Sequence, residues 1–200
     1  MPQISLTDLV DIVSKSGTLK VTKIRQVKYR PAYDPSTDFY KRVRDHIEET
    51  HKHGNNKNYL DIVIKSLTDI KKINSYPNII TGYKKWWGNK TLKWFDPPNL
   101  PFTNFGIDVS VNPELGLVIN GEPHLVKLYF KSEPLKKANT EIITHLMAIC
   151  CASLCPSQPA KMSILDVRRG KLISPNVPKP NLTAMLNAEL SYIATLWPSL

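Results

Sequence analysis

The chain has 200 residues, 42% of them apolar and 22% charged, enough for one sizeable core and too apolar for disorder to be the default. No run of about 18 apolar residues occurs, so a membrane-spanning helix is not supported. Residues 1–13 lack the basic start and long apolar stretch of a secretory leader, so none is expected. The three cysteines, Cys150, Cys151 and Cys155, share one apolar run. Their odd count and close spacing argue against a disulfide framework or a metal site, and fit small core residues in a reducing, cytoplasmic setting.

The formal charge is +10 and unevenly spread: residues 1–95 carry 18 Lys/Arg against 9 Asp/Glu, residues 96–200 carry 9 against 8. Such asymmetry points to a polyanionic partner, nucleic acid first, with a basic surface serving solubility as the plainer explanation. It also divides the chain into a basic, mainly helical part over 1–95 and a sheet-and-helix part over 96–200.

Ser5 followed by Asp8 has the form of a helix start, with Leu9, Ile12 and Val13 as the apolar side and Gly17 as the stop. The stretch from Leu19 to Arg30 alternates loosely and is studded with lysines, which predicts an extended edge segment. Asp34-Pro35 predicts a second helix, with Phe39, Val43 and Ile47 as its buried stripe. Arg42 and Arg44 lie off that stripe. His46, His51 and His53 have no metal-ligand spacing and suit a helix C-terminus. A third helix is expected from about Asn58 to Lys72, with Ser75-Tyr76-Pro77 breaking the chain and a short helix from Asn78 to Trp87.

Tyr83 to Phe95 is the densest mixture of aromatic and basic residues. Lys84, Lys85, Lys90 and Lys93 could neutralise phosphates while Trp86 and Trp87 stack on bases, and Arg42 and Arg44 would extend the same surface. The alternative is that the rings anchor helices to a sheet and the lysines reach outward past them. The proline-rich run 96–101 reads as the linker between the two parts.

Residues 105–135 read as a three-strand meander. Ile107 to Val111 alternates, Asn112-Pro113-Glu114-Leu115-Gly116 has turn chemistry, and Asn120-Gly121 is a strong hairpin signal. On the returning strand Lys127, Tyr129 and Lys131 share one face, and Leu128 and Phe130 the other. A helix follows from Leu135 to Leu154, then a loop over 156–159, a strand at Met162–Val167, a turn into Lys171–Ile173, and a terminal helix from Asn181.

An Asp on one strand, a hairpin, a strand ending in Lys and then a helix resembles the core of the PD-(D/E)XK nuclease superfamily, in particular its RecB-like branch. The resemblance covers roughly residues 100–175. It implies an α/β (α+β) protein with a restriction-endonuclease-like mixed sheet flanked by helices. It places Asp108 as the metal-binding aspartate and Lys131 as the lysine, with Tyr129 where a second carboxylate belongs. Glu141, four residues before His145 on the next helix, is the best replacement, because Glu122 lies on the opposite face and Glu133 precedes a proline.

Three readings follow. In the first the chain is an accessory nucleic-acid-binding protein with a nuclease-like fold and an incomplete metal site, in genome defence or repair, with no certain cofactor. In the second it is an active Mg²⁺- or Mn²⁺-dependent nuclease using Asp108, Glu141 and Lys131, the two acids holding the ion. In the third it is an interaction module for an acidic protein partner. No membrane enters any of them.

Overall fold

The computed structural model describes residues 1–151 and 159–200. It is a mixed α/β protein in which helices flank two mixed sheets. Strands β1 (Gln3–Ser5), β4 (Ile107–Val111) and β3 (Leu100–Asn104) form a small sheet in the order β1-β4-β3, with β1 parallel to β4 and β3 antiparallel to it. The larger sheet runs β2 (Leu92–Phe95), β5 (Leu115–Ile119), β6 (Glu122–Tyr129), β7 (Lys161–Asp166) and β8 (Lys171–Ile173). Among the described residues its only parallel pair is β6 and β7, which helix α6 (Lys137–Cys151) separates along the chain. No helix among the described residues is long and apolar enough to cross a membrane.

The expected meander is therefore split. Ile107–Val111 pairs with β1 and β3, not with the strand that follows it, and the Asn112–Glu114 turn carries the chain from one sheet to the other. The place beside β5 is taken by β2, whose Phe95 packs so tightly on Gly116 that a Cβ there would lie 2.3 Å from the Phe95 carbonyl oxygen. The Asn120-Gly121 hairpin forms as expected, with Asn120 at φ 50° and Gly121 at φ 94°.

Alternation along the large sheet feeds two cores. Leu125, Met162 and Ile164 face α1 (Leu6–Val13), α6 and α7 (Pro180–Leu196). Leu115, Leu117, Val126, Leu128 and Phe130 face α3 (Lys41–Lys52) and α5 (Ile70–Trp87). Tyr129 packs with the first core and Phe130 with the second, as strand parity requires. Both cores mix residues from before and after the 96–99 loop, so that loop does not separate two cores.

Several helices depart from the expected bounds. Leu19–Arg30 is not extended: α2 (Gly17–Lys28) is helical, with Ile24 fully buried, Lys20 paired with Glu189 at 2.7 Å and Lys28 donating to the Trp197 carbonyl at 2.7 Å. Packing on the C-terminal helix overrides its β-branched composition. The helix expected at Asp34 starts instead at Lys41. Asp34 spends its carboxylate on a local turn with Ser36, while Asp38 accepts from the Tyr40 and Lys41 backbone N–H groups at 3.0 and 3.1 Å.

The third helix reduces to a 3-10 turn at 57–61 and the short α4 (Ile62–Lys65). Pro77 does not break the chain but lies inside α5, which Asp69 caps. Buried Tyr76, Ile79, Ile80 and Tyr83 hold that helix across the missing N–H. The N-terminal helix is capped as expected, Ser5 Oγ accepting from the Asp8 N–H at 3.0 Å. Cys155, the expected helix end at Leu154 and all but the last residue of the loop expected over 156–159 lie outside the described residues.

Candidate functional site

A cleft of about 1190 Å³ opens where β5 begins and β6 ends, bounded by α1, α3, the start of α6 and the 96–99 loop. Eight Asp/Glu and five Lys/Arg line it, so its walls are net acidic on a chain that is basic overall.

At its floor the hairpin register places Glu114 beside Lys127. Their side chains meet at 2.6 Å and are only 10% and 13% exposed. The second Glu114 oxygen accepts from the Leu128 N–H at 2.7 Å. Lys127 also donates to the Asn112 carbonyl at 2.8 Å and to its side-chain oxygen at 3.3 Å. The ammonium thus has three acceptors, one for each proton.

Glu48 of α3 completes the group. Burial, then the charges of Glu114 and Asp45, push its carboxyl from an ordinary 4.5 to about 7, against the opposing pull of Arg44 and Lys127. A carboxyl that holds its proton near neutrality close to a second carboxyl group is poised for proton transfer or cation binding. Such a shift also makes folding pH-dependent. The folded chain binds this proton more tightly than the unfolded one, so Glu48 contributes stability below about pH 4.5 that is lost as pH rises to about 7. Glu48→Gln should remove this slope; urea midpoints measured across that interval, with wild type and variant falling in parallel, would count against it.

Asp8 behaves oppositely. Burial alone would raise its carboxyl, but hydrogen bonds from Arg30 and Ser5 and the charges of Arg30 and Lys23 outweigh it and hold it below the usual range. Arg30 grips it with two bonds of 2.6 and 2.9 Å. That fork ties the end of α2 to α1 at the cleft wall.

The residues expected to be catalytic do not meet. Asp108 lies in the small sheet, where its oxygen accepts from Thr103 at 2.6 Å. Glu141 pairs with Lys179 at 2.8 Å. Lys131 faces Asp11 at 3.6 Å and is the only one of the three that lines the cleft. The cause is the split meander, which puts Asp108 on a different sheet from the strand that leads to Lys131. Among the described residues no group of three or more His, Cys, Asp or Glu side chains is placed to hold a metal ion.

The aromatic–basic stretch is mainly an anchor. Trp86 is 3% exposed and packs on Tyr83, so its ring is closed to a base. Trp87 stacks on His51 at 4.5 Å. Lys84 pairs with Asp61 at 2.9 Å, and Lys90 donates to the Trp86 carbonyl. Arg44 pairs with Asp38 at 2.8 Å, and Arg42 bonds Ser66. Lys85 and Lys93 are exposed. His51 is a core residue, hydrogen-bonded to the Tyr83 hydroxyl at 2.6 Å, and burial lowers its ring to about 4.

Glu48, Glu114 and Lys127 went unassigned in the sequence, although the signal for two of them was present: a two-residue turn at Asn120-Gly121 sets Glu114 opposite Lys127. The chain matches no family model, no curated protein and no solved structure.

Proposed function

We propose that the chain acts on nucleic acid as a divalent-metal-dependent phosphodiesterase of nuclease-like design, with its centre at Glu48, Glu114 and Lys127. The observation that carries this reading is the coupling of two carboxylates, one raised to about 7 by burial and by the other's charge, beside a lysine held in place by three acceptors. Of the arrangement from which the resemblance was drawn, the hairpin β5–β6 and the helix after it are present, while the Asp108 strand lies in the other sheet.

Two carboxylates in an acidic, water-open cleft suit a hard cation that retains several waters, such as Mg²⁺ or Mn²⁺. Glu48 and Glu114 would hold it; the bound ion would polarise a phosphoryl oxygen and acidify a water. Lys127 fixes a positive charge at the floor, beside the two acids, where a phosphate oxygen would lie. Asn112 sets the direction of that ammonium. Outside the cleft, Lys85 and Lys93 supply the long-range attraction for a polyanion.

A second reading, binding without cleavage, is favoured by one observation: both Glu114 oxygens are already engaged, by Lys127 and by the Leu128 N–H. Calorimetry with Mn²⁺ and cleavage assays on labelled DNA and RNA separate the two. Phosphodiesterase action predicts Mn²⁺ binding and turnover that fall by about 10²-fold or more in Glu48→Gln and Lys127→Gln. Binding that weakens steeply with salt, without turnover, leaves the accessory role. A flat salt response in the absence of cleavage would reject nucleic acid and favour an acidic protein partner.

A further inference from the structure

The chain's five histidines differ in what their ring nitrogens meet. His46 Nε2 meets the Tyr59 carbonyl, His51 Nε2 the Tyr83 hydroxyl and His124 Nδ1 the Ser163 hydroxyl, while His53 is exposed. A carbonyl accepts and a hydroxyl can turn to accept, so each of those contacts survives when the ring gains a second proton. His145 is different. Its Nδ1 accepts from the backbone N–H of Lys179 at 3.1 Å, and a backbone N–H can only donate. That bond leaves the ring's one proton on Nε2, which donates it to Thr183 Oγ1 at 3.0 Å.

Both partners belong to the start of α7. Lys179 is its N-cap, and the Lys179 carbonyl accepts from the Leu182 N–H at 3.0 Å. His145, fully buried on α6, thus ties the first turn of α7 to α6 at two points. Further along, Leu186, Leu190 and Ile193 are buried in the first core and hold the rest of α7 without it. The charged groups around the ring have other partners. Glu141 on its own helix pairs with the Lys179 ammonium at 2.8 Å, and Lys137 acts on that same carboxylate. The thiols of Cys150 and Cys151 lie more than a turn further along α6. Among the elements packed on α6, Asp8 and Asp11 of α1 face Arg30 and Lys23, and Asp108 of β4 faces Thr103. Lys161 and Asp166 of β7 pair with Glu122 and Arg169, and Lys20 meets both Glu189 and Tyr192 of α7.

We propose that His145 is an acid-operated latch, in which a proton taken on Nδ1 sets two N–H donors face to face and frees the first turn of α7 from α6. The ring is closed to water, so the proton reaches Nδ1 from solvent only when the turn lifts, and then keeps it lifted. Burial holds the ring below its ordinary 6.5. The folded chain therefore binds this proton more weakly than the unfolded one, and the latch is whole above about pH 6.5 and weakens as pH falls below it. The Lys179 hydrogen bond keeps the Glu141 carboxyl under its usual 4.5, so that outer contact stays charged while the latch opens. The opening is local, because the buried leucines and Ile193 do not depend on His145.

Amide hydrogen exchange of the full chain, followed from about pH 7.5 to about pH 5 while NMR titrates the His145 ring, tests this. Protection of the Lys179, Leu182 and Thr183 amides should fall by up to about tenfold per pH unit below 6.5 and level off at the ring's own midpoint. Residues 186–193 should keep theirs. His145→Asn leaves an acceptor for Lys179 with nothing to protonate, and should hold the turn closed over the whole range. If that variant fails to fold, the wild-type chain decides alone. A ring that takes its proton while the turn keeps its protection overturns the proposal. So does a turn that opens with acid equally in His145→Asn, or one that opens only together with residues 186–193.

Discussion

Replacing Lys127 by Met should cost roughly 3 kcal/mol of stability, because it strands the Glu114 carboxylate where only about a tenth of it meets water. Leu128 would still donate one backbone hydrogen bond to that carboxylate, so the loss sits at the lower end of what breaking a buried pair does. Adding Glu114→Gln to the same chain should recover most of the loss, since the stranded charge and not the missing bond dominates it. Urea unfolding of the two single variants and the double variant gives the coupling directly. A loss under about 1 kcal/mol for Lys127→Met would mean that water screens the pair as it does at a surface. The same cycle bears on function. Without Lys127, Glu48 faces Glu114 with less compensation, so its carboxyl should hold its proton still more firmly than at present.

Gly82→Ala should destabilise the chain by roughly 3 kcal/mol or more, against the usual direction of that change in a helix. In an ordinary exposed helix the exchange gains up to about 1 kcal/mol, from lower chain entropy in the unfolded state. Here a Cβ at position 82 would lie 2.1 Å from the Val167 carbonyl oxygen and 2.6 Å from that of Arg168. Both obstacles are backbone, which cannot swing aside as a side chain would. On the other side of the contact, a Cβ at Gly170 would lie 2.8 Å from the Gly82 carbonyl oxygen. Helix α5 and the turn after β7 are pressed together main chain to main chain. Thermal unfolding that leaves Gly82→Ala at or above the wild-type midpoint would show that this contact opens at little cost.

What the sequence made legible follows from how local each signal is. The Ser5 cap, the Asn120-Gly121 turn and the opposed faces of Leu128 and Tyr129 depend on a few neighbouring residues, and the structure has all three. The helical state of 17–28 depends on Glu189 and Trp197, some 170 positions away, while its loose alternation and its lysines point locally to an edge strand. Pro77 reads locally as a stop, yet buried side chains on both sides of it hold the helix together.

The site shows the same limit. Asp108 drew attention through its alternating strand, whereas Glu114 was absorbed into turn chemistry beside Pro113. Counting outward from the hairpin turn would have set Glu114 against Lys127, because an antiparallel register fixes every later pair. Glu48 offered no such route. Its position depends on how α3 packs over the sheet, which no spacing within the chain reports.

The pairing of β1 with β4 has a kinetic side. Ile4 must find Val109 across more than a hundred intervening residues before β1 can join the β3–β4 hairpin and complete the small sheet. Closing so long a loop costs entropy that grows only logarithmically with length, so the equilibrium hardly feels it. The rate does, because contacts distant along the chain slow the search for the native arrangement. The opening residues must therefore wait, unpaired, while the strand they need is still being sought.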